Sequence, residues 1–173
     1  FFVNSTIHLA FTAACMVAFS YILYGSEINY SMLISAFLIT ITVYCTDRLV
    51  SIKEDEKNNH AERTKFISKN KTIISCLVIC AFLTIIILVF LKQPYGIIII
   101  LFPVLVGLVY SIKFKNFRLK DIKSKKNITI GLAWACVGSL LPLVTYNTDI
   151  PIVLYNFYFI FITYFTLSTI GDI

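Results

Sequence analysis

Apolar residues run through this chain in long blocks, and the polar residues are gathered between them. The blocks are about twenty residues long, the length a helix needs to cross roughly 30 Å of hydrocarbon. Their limits predict six spanning helices, at Ile7–Tyr24, Tyr30–Val50, Ile73–Leu91, Tyr95–Ile112, Ile128–Tyr146 and Pro151–Ile170. None has the polar face with which a helix of a soluble core meets water, so the pattern predicts an all-α polytopic membrane bundle. β-Branched runs such as Ile97 to Leu101 favour strands by propensity. At membrane depth, however, every backbone amide must be bonded internally, and that selects helices. Pro103 marks a kink point in the fourth span, and the fifth contains Gly131, Gly138 and Pro142.

Composition sharpens this picture. The chain is 58% hydrophobic and 14% charged, against about 45–50% and about 25% for an average soluble domain. Its 15 Lys and Arg are placed unevenly. The short connections 25–29, 92–94 and 147–150 hold Lys92 alone, while the other cations lie in and around 48–71 and 113–126. By the positive-inside rule both long loops, the chain start and Asp172 face the cytoplasm of an integral cell-membrane protein. Most of these lysines serve as topology determinants beside anionic lipid, and they account for the net charge of +6. Nucleic-acid binding has no support, because no soluble basic face with interleaved aromatics is present. Five cysteines, an odd number, all fall inside apolar blocks and read as small packing residues rather than a disulfide framework. Phe1 is not an initiator Met, no leader is recognisable, and an acid appears at Asp172. The sequence therefore reads as a single domain, 1–173, cut short at both ends.

The chemistry concentrates in the stretch from Tyr44 to Lys71. Asp47 sits near the end of an apolar span, where an acid is unfavourable unless it pairs, binds metal or faces water. Its plain structural role is an ion pair with Arg48 or with a lysine of another helix. From Asp47, Ser51 and Asp55 follow at one and two helical turns, rotated by about 40° and about 80°, and Glu54 lies on the same face. Oxygen donors so spaced suit Mg²⁺, which takes one or two carboxylates together with substrate phosphate oxygens. Asn59 and Arg63 follow, and a guanidinium grips phosphate oxygens bidentately. The second loop opens at Tyr110 and carries Lys113, Lys115, Arg118, Lys120, Lys123, Lys125 and Lys126. Several cations around one diphosphate would steady the charge that builds on it as a leaving group. The two helix–basic loop–helix units, built on spans two and three and on spans four and five, share an outline without sequence identity.

These residues, in this order, resemble the UbiA superfamily of intramembrane prenyltransferases. Asp47, Ser51 and Asp55 occupy the positions of its first Asp-rich run, NxxxDxxxD. Asn59-His60-Ala61-Glu62-Arg63 is similar to its Asn/Arg element. Tyr110-Ser111 with Arg118-Leu119-Lys120 resembles its second loop, and Leu167 to Asp172 falls where its second Asp-rich run opens. The resemblance covers the whole chain and implies nine helices, with three beyond Ile173. The chain departs from the pattern at four places. One is the spacing from Asp55 to Asn59, a residue longer than the commonest form, which makes Glu54 or Glu56 an alternative third ligand. Asp47 stands where Asn is usual, Ser51 where Asp is usual, and Phe114 where Lys is frequent, leaving Lys113 or Lys115 to substitute.

The resemblance implies a membrane prenyltransferase that moves an isoprenyl group from a polyprenyl diphosphate to a small acceptor with Mg²⁺ assistance. It implies catalytic roles for Asp47, Asp55 and Tyr110. Diphosphate contacts would come from Asn59, Arg63, Lys113, Arg118 and Lys120. Metal contacts would come from Asp47, Ser51, Glu54, Asp55 and Asp172. The implied partners are the isoprenyl diphosphate, an acceptor and the bilayer, and no protein partner can be read. A dry chamber lined by some of the 15 Phe and 10 Tyr would shield an allylic cation from water. Two other readings stay open: a transporter or channel built from helical hairpins, and a non-catalytic relative that binds lipid diphosphate.

Overall fold

A computed structural model of the chain describes residues 2–50, 52, 67–111 and 123–170, and they form helices joined by turns, with no strand among them. In chain order these are α1 (Phe2–Leu23), α2 (Tyr30–Val50), α3 (Lys71–Phe90) and α4 (Gly96–Ser111). Then come α5 (Lys123–Ala135), a π-helical turn (Cys136–Leu140), a 3₁₀ turn (Leu141–Val144) and α6 (Ile150–Ile170). Five helical stretches are long and apolar enough to cross a membrane: Thr6–Leu23, Tyr30–Val50, Lys71–Phe90, Lys125–Val144 and Ile150–Ile170. The fourth expected span is the apolar helix α4, whose 16 residues reach about 24 Å at 1.5 Å per residue. That is short of the roughly 30 Å of a hydrocarbon layer.

Helix α2 packs against α1, α3 and α4, while α5 and its continuation pack against α6, α4 and α1. The segment continuing α5 is the most buried of the five spans and α3 the least. The core between them holds Val17, Tyr21, Met32, Ile39, Trp134 and Leu141, all nearly inaccessible. Small residues allow the closest approaches. A Cβ at Gly131 would meet the Phe161 carbonyl oxygen at 3.1 Å, and one at Gly107 would meet a Val43 methyl at 2.7 Å. Such contacts matter in a bilayer, where lipid tails are as apolar as the side chains and dispersion packing drives helix association. Cys136 is buried in this packing, whereas Cys15, Cys76 and Cys80 turn outward, and all five thiols are free.

Short connections close one end of the bundle. Helix α1 ends with Gly25 at φ 67°. Ser26 N–H donates to the Tyr21 carbonyl and Gly25 N–H to that of Ile22, both at 3.0 Å, a Schellman stop that glycine makes without strain. Asn29 starts α2, its side-chain oxygen accepting the Ser31 N–H at 3.0 Å. At this same end Pro142 breaks the fifth helix, because it has no N–H to offer the carbonyls of Gly138 or Ser139. The chain answers with the π and 3₁₀ turns, and the Tyr24 hydroxyl donates to the Ser139 carbonyl at 2.9 Å. Pro103, by contrast, lies inside a continuous α4 and is buried.

Candidate functional site

At the opposite end, where the long connections begin and end, α2, α4 and α5 line a cleft of about 290 Å³. Each helix contributes through its own periodicity. Val43, Tyr44, Asp47 and Arg48 come from α2, Val106, Gly107 and Tyr110 from α4, and Lys126, Thr129, Ile130, Ala133 and Trp134 from α5. These are the i, i+3, i+4 positions that share one face of a helix. The cleft therefore has a charged rim, with Asp47, Arg48, Tyr110 and Lys126, each half-buried. All four are engaged in interactions within the protein.

Beneath the rim the lining is aromatic. The Trp134 ring stacks on Tyr164 of α6, with centroids 4.4 Å apart and planes 8° from parallel. The Trp134 indole N–H lies within reach of the Tyr44 hydroxyl, which also feels the charges of Asp47 and Arg48. An indole can only donate, so the tyrosine oxygen is the acceptor of that pair. Below these rings lies a pocket of only about 50 Å³, bounded by Ile39, Thr40, Pro103 and Val137 together with Val43, Tyr44, Ala133 and Trp134.

Beside the cleft, Asn127 ties α5 to the end of α6. Ser168 Oγ donates to Asn127 Oδ1 at 2.6 Å, and Asn127 Nδ2 donates to Thr169 Oγ1 at 3.3 Å. Asn127 is buried, and it is the immediate neighbour of Lys126.

Two of the residues singled out from sequence, Asp47 and Tyr110, come from helices separated by sixty-odd positions and line the same cleft. The others, Ser51, Glu54, Asp55, Asn59, Arg63, Lys113, Arg118, Lys120 and Asp172, lie outside the described residues. Among the described residues no three His, Cys, Asp or Glu side chains gather into a metal-binding group. The sequence reading gave no role to Tyr44 and Trp134, and it named Arg48 only as an ion-pair partner of Asp47 and Lys126 only as one of several loop cations. Signals for them were present. Tyr44 and Arg48 lie within one turn of Asp47, and Trp134 is the one tryptophan of the chain, two turns beyond Lys126. Of the aromatics of the sixth span, Phe157, Phe161 and Tyr164 pack on the core, while Tyr155, Tyr158 and Phe159 face outward. No family model, curated protein or solved structure matches this chain.

Proposed function

We propose that this protein is an intramembrane prenyltransferase of the UbiA type, moving an isoprenyl group from a polyprenyl diphosphate to a small acceptor. One observation carries the reading: a carboxylate, two cations and a phenol from three separate helices rim a single cleft whose floor is aromatic. A charged mouth over a greasy interior matches a ligand with an anionic head and a hydrocarbon tail. In this reading α4 serves as a sixth span, the charged end faces the cytoplasm as its lysines direct, and further helices complete the bundle.

The donor chemistry of the described rim fits a magnesium diphosphate. Asp47 offers hard carboxylate oxygen, and Mg²⁺ needs only one or two such groups when phosphate oxygens and water fill the rest of its shell. When bound, the metal supplies positive charge against the diphosphate, with Ser51, Glu54, Asp55 and Asp172 as its other proposed ligands.

The remaining work belongs to the protein's side chains. Arg48 and Lys126 hold the diphosphate at the rim, with Asn59, Arg63, Lys113, Arg118 and Lys120 as further contacts. The Tyr110 hydroxyl donates to a leaving oxygen. As the bond between the first prenyl carbon and diphosphate oxygen breaks, its electron pair leaves with the diphosphate, and these donors stabilise the charge there. The allylic cation that remains lies above Tyr44 and Trp134, whose ring faces attract positive charge. The nucleophilic carbon or oxygen of the acceptor then takes the cation, forms the new bond and loses a proton. Water would compete for the cation in the open, and the apolar chamber excludes it.

The test is diphosphate release by the full-length protein in liposomes, supplied with geranylgeranyl diphosphate, an aromatic acceptor and either Mg²⁺ or EDTA. Mg²⁺-dependent release supports the reading. Flux of ligand across the bilayer without release overturns it in favour of a transporter, and saturable binding without release overturns it in favour of a non-catalytic relative.

A further inference from the structure

We propose that the Tyr44 hydroxyl recognises the prenyl acceptor, donating its hydrogen to an oxygen that the acceptor carries beside its reacting atom. The inference rests on the prenyltransferase reading and adds to it the chemical class of the second substrate. Its starting point is a hydrogen with nothing to bind. Tyr44 is half-buried in the wall of the cleft, and its only hydrogen-bond partner among the described residues is the Trp134 indole. The indole N–H can only donate, so that bond uses the phenol oxygen and leaves the phenol hydrogen unspent.

The surroundings keep that hydroxyl in place. Trp134 is buried and stacked on Tyr164, with ring centroids 4.4 Å apart, so the indole that holds the phenol oxygen is itself fixed. The cleft wall around it is largely apolar, with Val43, Val106, Ile130 and Ala133 offering no side-chain acceptor. The hydroxyl of Thr129, also in that wall, is bonded to the Lys125 carbonyl at 2.7 Å. A donor left without an acceptor in such a wall is unfavourable. A site that holds one discriminates sharply in favour of ligands that supply the missing oxygen.

Of the two substrates, only the acceptor can bring an oxygen to that depth. Asp47 and Arg48 stand three and four residues beyond Tyr44 on the same helix face, about 4.5 to about 6 Å nearer the mouth. In the prenyltransferase reading the diphosphate oxygens are held there, with Lys126 and Tyr110. The isoprenyl chain below them is hydrocarbon and has no oxygen. An acceptor bonded to Tyr44 through its own oxygen sets its nucleophilic atom beside the allylic carbon. A phenol, an enol or an alcohol meets this requirement, whereas a thiol sulfur accepts weakly and an ammonium group not at all. Tyr44 keeps its proton throughout, and no covalent step runs through it.

Tyr44→Phe tests this, because it keeps a ring in the cleft wall and removes only the hydroxyl. The same change at Tyr158, an outward-facing position of α6 that is 60% exposed, is the control. The probes are 4-methylanisole, whose oxygen accepts but cannot donate, and 4-ethyltoluene, a hydrocarbon of the same shape. Their binding to the full-length protein in liposomes is read from Trp134 emission, with the Trp134→Phe protein as blank. Wild type and Tyr158→Phe should bind the ether about tenfold more tightly, equivalent to about 1.4 kcal/mol, and Tyr44→Phe should bind both probes alike. Equal binding by wild type means that the hydroxyl meets only water, and it overturns the proposal. A preference that survives in Tyr44→Phe overturns it too. In the diphosphate-release assay with 4-methylphenol as acceptor, Tyr44→Phe should raise the acceptor KM about tenfold and leave that for geranylgeranyl diphosphate unchanged. An unmoved acceptor KM, or a rise for geranylgeranyl diphosphate alone, overturns the assignment and leaves the prenyltransferase reading standing. Failure of the wild-type protein to release diphosphate overturns the underlying reading, and the acceptor with it.

Discussion

At the end closed by short connections, several hydrogen bonds join the helices, and those of Asn156 and Tyr24 are buried. Asn156 Nδ2 donates to Ser20 Oγ at 2.8 Å and to the Tyr24 hydroxyl at 2.9 Å, and Tyr24 passes its own hydrogen to Ser139. Tyr21 and Thr145 join their hydroxyls nearby, and the Tyr95 hydroxyl reaches the Leu143 carbonyl at 3.3 Å. Above this network lies a basin between loops whose lining holds one acid, Glu27, and no cation. The other end inverts the arrangement. There a cleft opens between α2, α4 and α5, and charge collects on its rim. Polar groups within the bundle thus serve two purposes at its two ends. At one they lock α1, the end of α5 and α6 together, and at the other Asp47, Arg48, Tyr110 and Lys126 line an open cleft. A membrane protein without a hydrophobic drive between its helices needs the first kind to hold the second in place.

That contrast can be broken from either side, and the charged end should break first in function. Asp47→Ala removes the one described carboxylate of the cleft. Losing a group that stabilises developing charge typically costs about 10²–10³ in turnover, so diphosphate release by the full-length protein should fall by about that factor. The thermal midpoint in detergent should stay within about 2 °C, since a half-exposed polar substitution away from the core changes stability little. A large drop in melting temperature would place Asp47 in the locking class with Asn156 instead. Conversely, activity retained within twofold would remove the acid from the site.

Tyr24→Phe addresses the opposite end. It deletes the donor to the Ser139 carbonyl and an acceptor of Asn156. Each buried polar group left unpaired costs about 1–3 kcal/mol in water-soluble proteins. Interhelical bonds in bilayers are worth less, about 0.6 kcal/mol on average. A loss of about 1–2 kcal/mol in unfolding free energy is expected, with kcat/KM per folded molecule unchanged. Combined with Asp47→Ala, the two effects should add, because the sites share no partner and lie at opposite ends of the bundle. Non-additive stability or a changed KM in the double variant would show that the two ends are energetically coupled.

The amino-acid sequence carried the locking end less well than the spans themselves. The limits of α2 match the block Tyr30–Val50, and α6 begins one residue before its predicted start at Pro151. Helix α5 begins at Lys123 rather than at Ile128, because a hydropathy boundary stops at charged residues although lysine is a good helix former. Asp47 was legible because an acid is unfavourable near a membrane unless it has a partner, and Tyr110 because it opens the second basic loop. Trp134 and Tyr44 were signalled only by their spacing from Lys126 and Asp47, and the Asn156 network not at all, since placing them requires the rotation of each helix about its own axis. A helix that is apolar all round has no polar face to report that rotation. The turn at Cys136–Leu140 was hidden for a related reason: Pro142 announces a break, but whether the helix widens or ends depends on its surroundings, which here include the Tyr24 hydroxyl of another helix on the Ser139 carbonyl.

The smallest effect should come from Asn127, which ties α5 to α6 at the charged end. Its side chain is 4% exposed, accepts from Ser168 and donates to Thr169. Asn127→Leu keeps the volume and removes both bonds. Thr169 retains its own bond to the Phe165 carbonyl at 2.8 Å. Ser168 can turn its hydrogen to the carbonyl one turn back in α6, as serines in helices do. Little stability is therefore lost, about 0.5 kcal/mol. What changes is position. The tie holds the last turn of α6, after which Asp172 follows in the chain, against the turn of α5 that bears Lys126. Freed of it, the two stretches no longer hold a fixed spacing, and a ligand that bridges them must order them on binding. The expected readout is a rise of about threefold in the Mg²⁺ concentration for half-maximal rate, with the rate at saturating Mg²⁺ retained. That corresponds to about 0.7 kcal/mol. A purely structural Asn127 would lower the melting temperature and leave the Mg²⁺ dependence untouched, so the two outcomes separate a tie that serves the site from one that only fastens two helices.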